Sequence, residues 1–96
     1  MGINDLLREK RENILRIASR HGAHDVRLFG SVARGEAGPD SDVDLLVRLE
    51  PGTTLLRHAA LVRELKSLLG RGVQVVSERA LRQRIKDRVM REAVPL

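Results

Sequence analysis

The 96-residue chain contains no cysteine, tryptophan or tyrosine, and Phe29 is its single aromatic residue. Without cysteine, disulfides and thiolate metal sites are excluded together. Single-strand nucleic-acid binders stack successive bases on aromatic side chains, and one phenylalanine offers no such platform. The lack of tyrosine rules out self-modification on a phenol. No apolar run reaches the roughly 20 residues a membrane helix needs. Met1 to Lys10 holds Asp5 and Glu9 and no apolar stretch, so a signal peptide is not expected there. A cytoplasmic protein is the expectation.

The residues that are present suit a folded domain. An apolar fraction of 42% beside 32% charged residues is that of a globular chain. The length serves one domain, residues 1–96, and is too short for two. The net charge of +5 comes from 18 basic residues interleaved with 13 acids, with no long basic block. Such charge reads as solvated helix faces, and a nucleic-acid partner is not expected. The basic residues are arginine except at Lys10, Lys66 and Lys86, and a guanidinium fork fits phosphate or carboxylate oxygens.

Periodicity predicts the order helix, strand, loop, strand, helix, strand, helix. Asn4 or Asp5 can cap a first helix with Ile3, Leu7, Ile14, Ile17 and Ala18 inward and Gly22 as its stop. Val26, Leu28 and Gly30 alternate as a strand, and a second strand runs from about Asp42 to Leu49. Thr53 or Thr54 starts a helix with Leu55, Ala59, Val62, Leu65 and Leu69 on its face, ended by Gly70 and Gly72. Val73 to Val76 is a third strand. Ser77 caps a last helix with Leu81, Ile85 and Val89 inward, and Pro95 lies past its end. This alternation predicts an α/β or α+β fold, a small sheet of three to four strands with helices packed on it.

Chemistry concentrates between Gly30 and Val47. A strand that ends in Gly30-Ser31 and enters a helical turn presents unpaired backbone N–H groups, which favour an anion such as phosphate. Ser31 can add a hydroxyl and Arg34 a positive charge. On its own, Gly-Ser is an ordinary turn with Ser31 as cap. In a strand, Asp42 and Asp44 point to the same side about 6.5–7 Å apart, while Val43, Leu45 and Val47 face the core. Two aspartates on one strand face repel each other, so the pair calls for a cation or a solvated edge. Mg²⁺ takes one or two carboxylates and completes its shell with substrate phosphates and water.

Gly30-Ser31, Arg34-Gly35 and Ser41-Asp42-Val43-Asp44-Leu45-Leu46-Val47 resemble the signature of polymerase-β-type nucleotidyltransferases, and the length resembles their minimal members. The resemblance implies a mixed sheet flanked by helices, with a nucleoside triphosphate such as ATP cradled at Gly30, Ser31 and Arg34. It implies Mg²⁺ on Asp42 and Asp44, which would be the catalytic carboxylates. It further implies an antitoxin that acts beside a HEPN-type toxin in a hetero-oligomer, transferring AMP to a hydroxyl of that partner.

In one place the pattern departs. The resemblance implies a third carboxylate on the next core strand, and here Gln74 occupies that place. A glutamine amide can ligate through its carbonyl oxygen but does not accept a proton near neutral pH. Glu78, with the same strand parity, lies about 13 Å further along an extended chain. Three outcomes stay open: a slow two-carboxylate enzyme, an inactive fold that binds nucleotide or partner, or a third acid elsewhere. His21, His24 and His58 show no ligand spacing, and Arg71 near the third strand could reach a phosphate. The basic residues of the last helix, Arg79, Arg82, Arg84, Lys86, Arg88 and Arg91, read as a solvated face softened by Asp87 and Glu92.

Overall fold

The computed structural model describes residues 2–96. In chain order it contains α1 (Ile3–Arg20), β1 (Ala23–Phe29), α2 (Gly30–Ala33), β2 (Val43–Leu49), α3 (Leu55–Leu69), β3 (Val73–Ser77), a 3-10 turn (Glu78–Ala80), α4 (Gln83–Glu92) and β4 (Val94–Pro95). The four strands form one sheet in the order β3-β2-β1-β4. β1 is antiparallel to both neighbours, while β2 and β3 are parallel. A parallel pair needs a crossover, and α3 supplies it. The mixed sheet flanked by helices is the architecture the sequence predicts.

Alternation in β2 decides where the core lies. Val43, Leu45 and Val47 are at most 1% exposed and join Leu7, Ile14 and Ala18 of α1 with Leu61, Leu65 and Leu69 of α3 in one cluster. Full burial of each valine, leucine or isoleucine among them contributes roughly 1.5–3 kcal/mol. On the other face Leu46 is also fully buried, where the 3-10 turn packs against β2. Asp44 shares that second face, so it has a half-covered environment.

Several boundaries differ from the sequence reading. Gly2, not Asn4 or Asp5, occupies the cap of α1, and Asp5 lies in the first turn, where the helix dipole favours an acid. β1 begins at Ala23, Gly30 belongs to α2, and β2 begins one residue after Asp42. Thr54 does cap α3, its Oγ1 accepting from Arg57 N at 3.1 Å. Leu55, however, is 86% exposed, and Ala59 is exposed as well. The buried series Leu61, Leu65 and Leu69 sets the inner face, and Leu55 lies roughly 240° around the helix from Leu61 at ~100° per residue.

The last helix differs most. Ser77 leads into the 3-10 turn instead of capping α4, and Leu81 falls in the connection. Ile85 is 48% exposed and every residue of α4 keeps some solvent access, so no inner stripe forms. The turn consumes the residues that would have extended the helix over the sheet. Pro95 pairs with Arg27 on the sheet edge, where a missing N–H is tolerated. Among the described residues no helix is long and apolar enough to cross a membrane.

Candidate active site

The site forms where β1 ends and β2 begins. Register pairs Phe29 with Asp44, so the chain leaving β1 turns directly beside that carboxylate. Gly30 makes the turn with φ 74°, a backbone conformation that side chains other than glycine rarely adopt. A Cβ built there would also collide with Asp44, lying 3.1 Å from its Cγ. Gly72 plays the same part for the other acid. Its carbonyl accepts from Val43 N at 2.9 Å, and a Cβ on it would lie 2.8 Å from Asp42 Cγ. Each aspartate therefore rests against glycine backbone.

The parallel register sets Gln74 opposite Asp44 and Val73 opposite Val43. Paired residues on adjacent strands share a face about 4.8 Å apart. Gln74 thus stands beside Asp44, and both Gln74 and Asp42 are exposed. Ser31, half-buried in the first turn of α2, adjoins the pair through Gly30, and its carbonyl accepts from Glu36 N at 2.9 Å.

Arg34 closes α2. Its Nε donates to Glu36 Oε1 at 2.9 Å and its Nη1 to Glu92 Oε1 at 2.7 Å. The two carboxylates, Glu36 first, raise its already high pKa, so the guanidinium stays charged. Asp44 is pushed above the usual carboxylate range, first by burial and then by the charge of Asp42. Arg34 pulls it down and Glu92 adds a smaller upward push. One guanidinium thus answers Glu36, Glu92 and Asp44, while Asp42 adds a further negative charge beside Asp44.

That excess of negative charge suits a cation. Hard oxygen donors match Mg²⁺, which needs only one or two carboxylates when phosphate oxygens complete its shell. Among the described residues no group of three or more His, Cys, Asp or Glu is arranged around an ion position. The donor set therefore fits a metal delivered with a triphosphate and lacks the ligands of an all-protein cage.

Other marked residues lie elsewhere. His21 pairs with Glu64, His24 with Glu50 at 2.9 Å, and His58 contacts the Val75 carbonyl at 2.8 Å. Glu78 is joined to Arg27, and Arg71 donates to the Pro39 carbonyl at 2.7 Å, tying down the loop before β2. Sequence reasoning missed Gly72, taken for a helix stop, and Glu92, taken for one charge on a solvated face. Nothing local marks either, since each reaches the site through long-range pairing.

The chain belongs to the nucleotidyltransferase domain family, which matches residues 10–96. Its class is accordingly that of a nucleotidyltransferase. A candidate protein adenylyltransferase of Methanocaldococcus jannaschii is 37% identical, covering 98% of this chain and 97% of that protein. The protein adenylyltransferase MntA of Thermococcus cleftensis is 41% identical, covering 81% of this chain and 79% of that one. A solved structure described as a candidate minimal nucleotidyltransferase is similar with TM-score 0.87 and 56% identity, over 96% of this chain and 94% of its own. A toxin–antitoxin crystal structure with AMP-PNP shares the fold at TM-score 0.76 and 21% identity, over 88% of this chain and 69% of its own.

Proposed function

We propose that the protein is a protein adenylyltransferase: with Mg²⁺ it transfers AMP from ATP to a hydroxyl of a partner toxin of the HEPN type, acting as the antitoxin of the pair. The observation that carries this reading is the Asp42–Asp44 pair, seated on the backbone of Gly72 and Gly30 beside the Gly30–Arg34 turn. Relatives named protein adenylyltransferases support the acceptor class, and fold neighbours in toxin–antitoxin crystal structures support the partner.

In this reading the unpaired N–H groups of α2 and the Ser31 hydroxyl receive phosphate oxygens. Arg34 adds charge near them. Asp42 and Asp44 would hold the metal, which would supply charge neutralisation for the triphosphate and the leaving pyrophosphate. The acceptor oxygen bonds to the α-phosphorus as the bond to the β-phosphate oxygen breaks, and pyrophosphate leaves with that electron pair. Residue 74 cannot take the acceptor proton, because an amide is no base near neutral pH. The proton leaves to solvent or to a group of the partner. Catalysis is then mostly positioning and charge neutralisation.

The Gln74–Asp44 register supports a second reading, an inactive fold that neutralises its partner by docking. Transfer of label from α-³²P-ATP to the product of the neighbouring gene separates the two. Label transfer by the wild type, lost in Asp44→Asn, supports the enzyme. No wild-type transfer, with transfer restored by Gln74→Asp, supports docking by a disarmed enzyme.

A further inference from the structure

Glu92 is placed where helix physics gives it no reason to be. It is the last residue of α4, next to Arg91, at the end where the helix dipole disfavours an acid. Its side chain is nevertheless only 17% exposed, and its Oε1 accepts from Arg34 Nη1 at 2.7 Å. The chain after it is stitched down. Val94 pairs with Leu28 and Pro95 with Arg27, Leu96 N donates to the Val26 carbonyl at 3.2 Å, and Arg11 Nε donates to the Leu96 carbonyl at 2.9 Å. Antiparallel pairing of β4 with β1 carries the residues before Val94 toward Phe29 and Gly30. Glu92 is thereby delivered to the phosphate turn from the far end of the sequence.

Glu36 and Glu92 engage Nε and Nη1, so Nη2 of Arg34 lies outside both pairs, and the side chain remains 44% exposed. Two carboxylate acceptors on one guanidinium restrict its rotamers and leave the third nitrogen for a ligand. A long flexible side chain loses rotamer entropy when ordered, and holding it beforehand removes part of that cost from ligand binding.

We infer that Glu92 is a positioning residue: it holds Arg34 in place, so that the guanidinium meets the triphosphate already oriented. The inference rests on the nucleotide-binding reading of the site. It gives α4 and β4 a role beyond packing, since together they bring one carboxylate to Arg34.

The test is binding of a fluorescent ATP analogue with Mg²⁺ to the full chain, with thermal melts of each variant alongside. Glu92→Ala is expected to weaken binding about 2- to 12-fold, the range for re-ordering one freed side chain on binding. Glu92→Gln keeps an acceptor oxygen for Nη1 and should restore most of the affinity. Arg34→Ala should lose more than Glu92→Ala, because it removes the phosphate contact itself, and the double variant should lose little more than Arg34→Ala, because Glu92 acts only through that side chain. Additive losses, or wild-type affinity in Glu92→Ala, would overturn the inference and leave nucleotide binding intact. If Glu92→Ala fails to fold, Glu92→Gln beside Arg34→Ala decides: a Gln variant as weak as Arg34→Ala contradicts positioning by hydrogen bond. A wild type that binds no nucleotide overturns the reading of the site and this inference with it.

Discussion

Replacing Gly72 with alanine should separate stability from activity, and the structure says why. Gly72 lies outside the left-handed region, so alanine adopts its backbone without strain. A glycine-to-alanine change at a compatible position stabilises by about 0.4–1 kcal/mol through the unfolded chain. Against this, the new Cβ collides with Asp42, 2.8 Å from its Cγ. Asp42 is exposed and can swing toward water, at a rotamer cost of about 0.5–1.5 kcal/mol. The two effects nearly cancel, so the melting temperature should stay within about 5 °C of wild type, since 1 kcal/mol is worth about 4–8 °C in a domain this small. The carboxylate, however, is moved by the order of 1 Å, a displacement that can cost ~100-fold in rate. Melting by circular dichroism and Mg²⁺-dependent label transfer, run on one preparation, provide both readouts. A variant that transfers at the wild-type rate, or one that melts ten or more degrees lower, would show that Gly72 does not seat Asp42 as described.

Gly30→Ala makes the contrast, because the left-handed φ of 74° adds about 1–2 kcal/mol of strain to the collision with half-buried Asp44; it should lose stability and transfer together, in the same two assays. Asp44→Asn should stabilise the metal-free protein at neutral pH. Burial and Asp42 raise the folded-state pKa of Asp44, so its ionised form costs folding free energy above that pKa and none below the ordinary carboxylate range. Melts at pH 7 should therefore favour the asparagine variant and melts near pH 3 should not; equal gaps at both would count against the assigned cause. Thr54→Ala removes the cap bond to Arg57 N and should cost about 1 kcal/mol, read from denaturant midpoints, with label transfer unchanged.

The sequence alone determined the pieces whose geometry is covalent. Residues two apart on a strand share a face whatever surrounds them, so Asp44 with Val43, Leu45 and Val47 behind it was legible from spacing, while Asp42 lies one residue before the strand. Likewise a glycine followed by serine and a short helical run identified the turn at Gly30, and helical spacing located Leu65 and Leu69 within α3, though it passed over Leu61 and put Leu55 and Ala59 on the wrong face. That error arises because apolar side chains near a helix end fit either of two stripes, and only packing against α1 and the sheet selects one.

Tertiary structure decided what distance in the chain conceals. Gly72 reaches Asp42 only because β3 runs parallel to β2 in a register that also sets Gln74 beside Asp44. Glu92 reaches Arg34 only because a two-residue strand at the C-terminus pairs with β1. Local preference cannot encode such meetings, since backbone hydrogen bonds are alike at every register and the choice among registers belongs to the buried faces of the whole sheet. The two aspartates were thus a property of the sequence, while the glycine that seats Asp42 and the carboxylate that engages Arg34 are properties of the fold.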